Sequence, residues 1–96
     1  MTALVKYILL LSMNNIVRQL RKKKRLTQEE LGYLTGLSRQ AINAIEKGKF
    51  MPSVVTAYKF SRLFDFPIDV IFDFSEYDAE IKEIKDLEDR IDFVHG

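Results

Sequence analysis

The sequence contains no cysteine, and its single histidine, His95, stands one residue from the end. The absence of cysteine excludes a disulfide framework and a thiolate metal site. The chain also has no glycine-rich phosphate loop, and the pattern places no general base near its serines. We therefore expect a cytoplasmic protein without catalytic activity, bound metal, cofactor or evident small-molecule ligand.

Long hydrophobic runs are also absent. The segment from Ala3 to Leu11 is apolar except for Lys6 and Tyr7, far shorter than the roughly 20 apolar residues that span a bilayer. We expect no membrane partner, and we interpret residues 1–13 as an apolar N-terminal extension. Translation from an upstream start codon, with Met13 as the alternative start, would explain it. Such an extension would seek an apolar partner, for example the same segment of a second subunit.

Charge is distributed unevenly along the 96 residues, although the formal net charge is only +1. Residues 1–50 hold ten Lys or Arg and three Glu, whereas residues 76–96 hold three basic and eight acidic residues. A basic front half and an acidic tail indicate an anionic partner for the front half alone.

The segment from Thr27 to Gly48 has the start and stop signals of two short helices. Thr27 and Glu30 form a capping-box pattern, and Gly36 is suited to end the first helix. Ser38 is placed to cap the second helix, and Gly48 to end it. Leu31 and Leu34 are the apolar positions expected on the first helix, and Ile42 and Ile45 those on the second. Two such helices with a glycine in the turn are typical of a helix-turn-helix unit.

The stretch LTQEELGYLTGLSRQAINAIEKGK resembles the Cro and phage-repressor (xenobiotic-response-element-like) family of bacterial transcriptional regulators, and the resemblance covers Asn14 to Phe72. Gly32 stands where alanine is usual, which should weaken the helix by roughly 0.5–1 kcal/mol. The resemblance implies an ion pair between Arg21 and Glu46 that joins the first helix to the third. It also implies an all-α, five-helix, lambda-repressor-like DNA-binding domain.

The flanking segments complete this prediction. Asn14 or Asn15 should cap the first helix, and Ser53 should cap a fourth that runs to about Phe64. Pro67 should begin a short fifth helix. We expect the core to include Val54, Ala57, Phe60, Phe64, Phe66 and Phe72, and Val55 and Val70 to face outward. The domain is assigned to residues 14–74, and residues 75–96 form an acidic amphipathic tail helix, because apolar residues recur there at helical spacing.

The helix that Ser38 caps is expected to lie in the major groove of DNA. Arg39 has a planar fork that fits guanine O6 and N7, and the Gln40 amide fits adenine N6 and N7. Asn43 lies one turn further along, and Ala44 is able only to touch a thymine methyl. The predicted base-reading residues are therefore Arg39, Gln40, Asn43 and Ala44. The predicted phosphate-binding residues are Thr27, Gln28, Ser38, Lys47 and Lys49.

Two functions remain open from the sequence. The favoured one is a sequence-specific DNA-binding transcriptional regulator, expected to act as a repressor and a homodimer. The alternative is a helix-turn-helix module that binds another protein, such as an antitoxin-like partner binder, and the acidic amphipathic tail keeps this alternative open.

Overall fold

The computed structural model describes residues 14–95, with the side chains of 92–95 left out. The predicted extension, residues 1–13, therefore lies outside the described residues. Six α-helices follow one another in the described part: α1 (Val17–Lys23), α2 (Gln28–Thr35), α3 (Arg39–Glu46), α4 (Val54–Phe64), α5 (Ile68–Ile71) and α6 (Asp78–His95). A 3-10 turn, Ser75–Tyr77, precedes α6. The predicted five short helices followed by a tail helix are confirmed.

The helix ends follow the local signals. Thr27 Oγ1 accepts from the Glu30 N–H while the Glu30 carboxylate accepts from the Thr27 N–H, which is a complete capping box. Ser38 and Ser53 cap α3 and α4 through their side-chain oxygens. Gly36 ends α2 at φ 76°, in the left-handed region that a residue without Cβ adopts readily.

The capping position of α1 lies one residue after Asn15 and two after Asn14, the two predicted caps. The helix starts at Val17, and Ile16 occupies the capping position without a side-chain hydrogen bond. Asn15 still supplies the cap from one position earlier, because its Oδ1 accepts from the Val17 N–H at 3.1 Å. Its Nδ2 also donates to the Ile45 carbonyl at 2.8 Å, so the same side chain connects the start of α1 to the end of α3.

The core lies where α1, α3, α4 and α5 converge over α2. Phe60 is fully buried at its centre, and its ring centroid lies 6.0 Å from that of Phe64 and 6.2 Å from that of Phe72. The buried apolar residues are Val17, Leu20, Leu31, Ile42, Ile45, Ala57, Phe60, Phe64, Ile71 and Phe72. Each of the helices α1 to α5 thus contributes at least one buried apolar side chain to one continuous cluster, and Phe72, just after α5, adds an aromatic ring.

Three residues that the sequence placed in the core or in the apolar stripe of a helix are not buried. Leu34 is 54% exposed, because Thr35 occupies the inner side of α2 one turn after Leu31. Val54 is 82% exposed, since Thr56 is the first buried residue of α4. Phe66 is only partly covered because it follows Asp65, whose left-handed conformation ends the α4 periodicity. Val55 and Val70 are exposed, as expected.

The two ends of the five-helix unit meet. An isolated antiparallel bridge pairs Asn15 with Phe72. The Ile16 N–H donates to the Ile71 carbonyl at 3.0 Å, and the Asp73 N–H donates to the Asn14 carbonyl at 2.9 Å. The approach to α1 is therefore held against the exit from α5.

The tail helix α6 has the predicted apolar stripe. Ile81, Ile84, Leu87 and Ile91 are each about half exposed, and the described part of the chain does not cover them. Tyr77, in the preceding turn, packs against the core. Among the described residues, no helix is both long and apolar enough to cross a membrane.

Candidate nucleic-acid interface

The α2–turn–α3 unit is held by close backbone contacts. The Leu37 N–H donates to the Gly32 carbonyl at 2.8 Å, across the left-handed Gly36. A Cβ atom at Gly32 would overlap the carbonyl oxygen of Leu37. The start of α3 therefore lies directly against the backbone of α2.

Helix α3 has one buried side and one open side. Ile42 and Ile45 are fully buried, whereas Arg39 and Gln40 are exposed and Asn43 and Ala44 are half-buried. Arg39, Gln40 and Asn43 line a shallow depression of about 270 Å³ together with Gln28 of α2. The structure thus brings three of the four predicted base-reading residues together around one concave surface.

The predicted phosphate-binding residues lie around this surface. Ser38 is exposed at the start of α3, and its Oγ accepts from the Ala41 N–H at 3.0 Å, which leaves its hydroxyl proton available to donate. Lys47 and Lys49 are exposed at the opposite end of α3. The Lys49 N–H donates to the Ala44 carbonyl and the Gly48 N–H to the Ile45 carbonyl, a hydrogen-bond pattern that fixes the backbone just after the helix.

The first turn of α2 combines free N–H groups with negative charge. The Glu30 and Leu31 N–H groups are bonded to Thr27, whereas the hydrogen bonds of the described residues use neither the Gln28 nor the Glu29 N–H. The backbone hydrogen bond from Thr27 lowers the pKa of the exposed Glu30 carboxyl, and the side-chain hydrogen bond with Thr27 adds to it. The carboxylates of Glu29 and Glu30 would oppose a phosphate here, unless it approaches along the Gln28 side.

Arg21 and Glu46 form the expected ion pair between α1 and α3. Arg21 Nε donates to Glu46 Oε2 at 2.6 Å, and Nη2 donates to Oε1 at 3.1 Å. Nη1 donates to the Leu26 carbonyl at 2.8 Å. The hydrogen bond to Glu46 raises the pKa of the Arg21 guanidinium. Both side chains are at least nine-tenths covered, so the pair is structural and lies just beneath the open surface.

Gln28 and Asn43 contact each other. Gln28 Nε2 donates to Asn43 Oδ1 at 3.1 Å and to Glu46 Oε1 at 3.2 Å. The sequence predicted Gln28 as a phosphate-binding residue, but its side-chain nitrogen has only two hydrogens and both are used in these contacts. What Gln28 still offers to a phosphate is its backbone N–H at the start of α2.

Arg18 is a candidate that the sequence reasoning did not assign to DNA. It is exposed on α1 and lines a depression with Asn43 and Lys47. The helical spacing could have identified it, because Arg18 precedes Arg21 by three residues and therefore lies on the same side of α1. The run of five basic residues that follows, 21–25, concealed this difference in position.

Metal binding has no support in the described part of the chain. It contains no group of three or more His, Cys, Asp or Glu side chains placed to hold an ion. The open surface is instead lined by amide, guanidinium and ammonium groups, which are the donors that phosphates and base edges accept from.

Comparison with known proteins matches the same region. The sequence model of a helix-turn-helix family matches residues 17–71. An uncharacterized HTH-type transcriptional regulator of Archaeoglobus fulgidus is 42% identical over 64 residues, which cover 67% of this chain and 90% of the relative. The uncharacterized HTH-type transcriptional regulator YgzD of Bacillus subtilis is 38% identical over 60 residues, covering 62% and 91%. Among solved structures, the restriction-modification controller protein C.AhdI from Aeromonas hydrophila is 35% identical, with 54% of this chain and 79% of that chain covered and a TM-score of 0.49.

Proposed function

The chain belongs to the Cro and phage-repressor-like helix-turn-helix family of DNA-binding transcriptional regulators, and from this premise we propose that it acts as a homodimeric repressor that reads DNA with α3. The observation that carries the proposal is the open side of α3, where Arg39, Gln40 and Asn43 surround one depression while Ile42 and Ile45 anchor the helix from below.

Base reading is assigned to the first two turns of α3. Arg39 would donate to guanine O6 and N7, and Gln40 would pair with adenine. Asn43 lies one turn further along the same side, and Ala44 would contact a thymine methyl. The Arg21–Glu46 pair supports this surface from beneath, because it fixes α3 against α1.

Phosphate binding is assigned to groups on both sides of α3. The Gln28 N–H and the Thr27 and Ser38 hydroxyls would donate at one side of the groove, and Lys47 and Lys49 would neutralise charge at the other. Arg18 joins this set, because it shares a depression with Lys47. These contacts would set the register of α3 without reading sequence.

A homodimer follows from the size of the interface. One recognition helix reads only a few base pairs, and two half-sites about 34–36 Å apart lie on the same face of B-DNA. The exposed Val55, Tyr58 and Val70 and the apolar stripe of α6 are the candidate surfaces for self-association. Repression then requires only that the bound dimer obstruct RNA polymerase, and an operator on chromosomal DNA implies action in the cytoplasm.

Selection from a random-sequence DNA library tests the proposal. We expect enrichment of a site with two-fold symmetry and half-sites one helical turn apart, and sedimentation at micromolar concentration should show two chains on that site. A monomer that binds a non-symmetric site with full affinity would overturn the dimer. Placing the site over a promoter should lower transcription in a purified system, and stimulation would contradict repression.

The uncovered stripe of α6 favours a second candidate, a module that binds another protein through Ile81, Ile84, Leu87 and Ile91. Gel shifts with the enriched site and a scrambled site at two salt concentrations separate the two functions. A DNA reader should retain its preference for the enriched site at the higher salt concentration, whereas a protein-binding module should show no preference at either.

A further inference from the structure

We propose that the buried Arg21–Glu46 pair sets, through Gln28, the orientation of the Asn43 amide, so that its oxygen is turned toward Gln28 and its nitrogen is left to face DNA as a hydrogen-bond donor. This inference rests on the proposed function, since it assigns a chemical preference to one of the proposed base-reading residues. The carrying observation is the row of hydrogen bonds Arg21–Glu46–Gln28–Asn43, which leads from beneath α3 to its open side.

The polarity of each bond in this row is fixed by the one before it. A guanidinium has only donors, so Arg21 requires both Glu46 oxygens to accept. An ionised carboxylate has only acceptors, so Gln28 must present its nitrogen, not its oxygen, to Glu46 Oε1. The same nitrogen also donates to Asn43, which must therefore accept through Oδ1, 3.1 Å away. The ion pair thus removes the ambiguity of two amides that could each be turned either way.

The orientation determines what Asn43 offers to a base. With Oδ1 turned toward Gln28, the side-chain nitrogen, with its two hydrogens, is the group of Asn43 that is directed at DNA. An asparagine with both atoms available pairs with adenine N6 and N7 together. That bidentate contact needs both atoms directed at the same base, and the contact with Gln28 turns Oδ1 toward α2 instead. Asn43 should therefore favour an edge that accepts hydrogen bonds, such as guanine O6 and N7 or thymine O4. Cytosine N4, a donor, is rejected.

The role of Gln28 changes accordingly. Its side chain becomes a positioning group between α2 and α3, and its two amide hydrogens point into the protein at Asn43 and Glu46. If Gln28 only held a phosphate, its loss would weaken binding to all DNA sequences alike. If Gln28 orients Asn43, its loss changes which base is preferred at one position in each half-site. This difference makes the proposal testable.

The test measures binding of variants to the enriched site and to its versions with each base at every position. Asn43→Ala identifies the base pair that Asn43 contacts. There, the intact protein should favour an acceptor edge over cytosine by about fivefold or more. Gln28→Met keeps the length of the side chain and removes its hydrogen bonds, so the Asn43 amide becomes free to turn and this preference should fall to about twofold or less. The double variant should match Asn43→Ala at that base pair.

Gln28→Glu provides an independent readout, because a carboxylate at position 28 must accept and would turn Asn43 so that Oδ1 faces DNA. Overall affinity should fall with the added charge, and the preference at the same base pair should move toward cytosine or adenine. Circular dichroism and melting of each variant establish that it folds, and Lys47→Ala is the matched control that should weaken all sites equally.

Two outcomes overturn the inference. The first is an unchanged base preference in Gln28→Met, whether or not that variant weakens all sequences equally, and the second is a Gln28→Glu variant with the preference of the intact protein. Failure of the intact protein to enrich any DNA sequence would instead overturn the proposed function, so the two failures are distinguishable.

Discussion

Arg21 and Glu46, which are 25 residues apart in the chain, are joined by two hydrogen bonds of 2.6 and 3.1 Å. The pair connects α1 to the last residue of α3. It lies beneath the surface that we assign to DNA, and its contact with Gln28 extends it to that surface.

Removing one partner of this pair should lower the free energy of unfolding by more than half of the loss that follows when both partners are removed. Arg21→Ala and Glu46→Ala each leave an uncompensated charge, a loss of about 3–5 kcal/mol for a buried pair. The double variant should lose clearly less than the sum of the two. Thermal and urea melts measure this, and Arg18→Ala is the control for loss of an exposed arginine from α1. Additive losses would argue against a direct interaction.

Arg39 and Lys49 should have separable effects on DNA binding. Arg39→Ala should reduce discrimination at one base pair in each half-site by about 1–3 kcal/mol, because a bidentate contact to guanine is lost. Lys49→Ala should weaken all sequences alike and lower the salt slope by about one unit. Titrations of the enriched and a scrambled site across a salt series measure both. Lys85→Ala, on the tail helix, is the charge control. A change in base preference caused by Lys49→Ala would mean that α3 is docked wrongly.

Gly36→Ala should destabilise the protein through its backbone conformation alone. The residue has φ 76°, and the nearest atom to an added Cβ would be Lys59 Nζ at 3.8 Å, so the space is sufficient. A left-handed alanine costs about 1–2 kcal/mol, or roughly 4–16 °C in melting temperature for a domain of this size. Gly36→Asn is the matched variant and should lose less, because asparagine tolerates this region better. Equal losses would point to a steric cause.

The capping box predicts a pH dependence of stability. The folded pKa of Glu30 is lowered by its hydrogen bonds with Thr27. The stabilisation that the ionised Glu30 gives to the folded protein is therefore complete at pH values above its ordinary pKa of 4.5, and it is lost as the pH falls through the lowered pKa of the folded state. Glu30→Gln keeps an acceptor oxygen but does not titrate, so the wild-type advantage in melting temperature at pH 7 should shrink below pH 4.5. Glu29→Gln is the control, and an identical effect there would assign the dependence to helix-dipole charge.

The number of helices and most of their boundaries were predictable because their signals are local, whereas the capping position of α1 was misplaced. Thr27, Ser38, Ser53 and Gly36 each act within one turn, and the structure uses all four as the sequence indicated. Side-chain burial depended on the packing of α2 and α4 against their neighbours, and periodicity alone misplaced Leu34 and Val54.

Two features of the site required the three-dimensional structure. Helix propensity predicts that glycine at position 32 costs stability relative to alanine, yet a Cβ there would meet the carbonyl oxygen of Leu37, which opposes any gain from the substitution. Residue type indicated that Gln28 and Asn43 would each face DNA. The two residues are 15 positions apart in the chain, and no sequence signal predicts that their side chains touch, because the contact depends on how α2 crosses α3.

The bridge between Asn15 and Phe72 makes the five-helix unit nearly a closed loop. A short linker joining residue 73 back to residue 14 should let the chain be opened elsewhere as a circular permutant. The exposed loop between α3 and α4 is one place to open it. The same geometry means that groups fused before Asn14 and after Asp73 would start close together on the surface, so a donor and acceptor dye pair attached there would report whether the two ends separate before or together with the unfolding of the core.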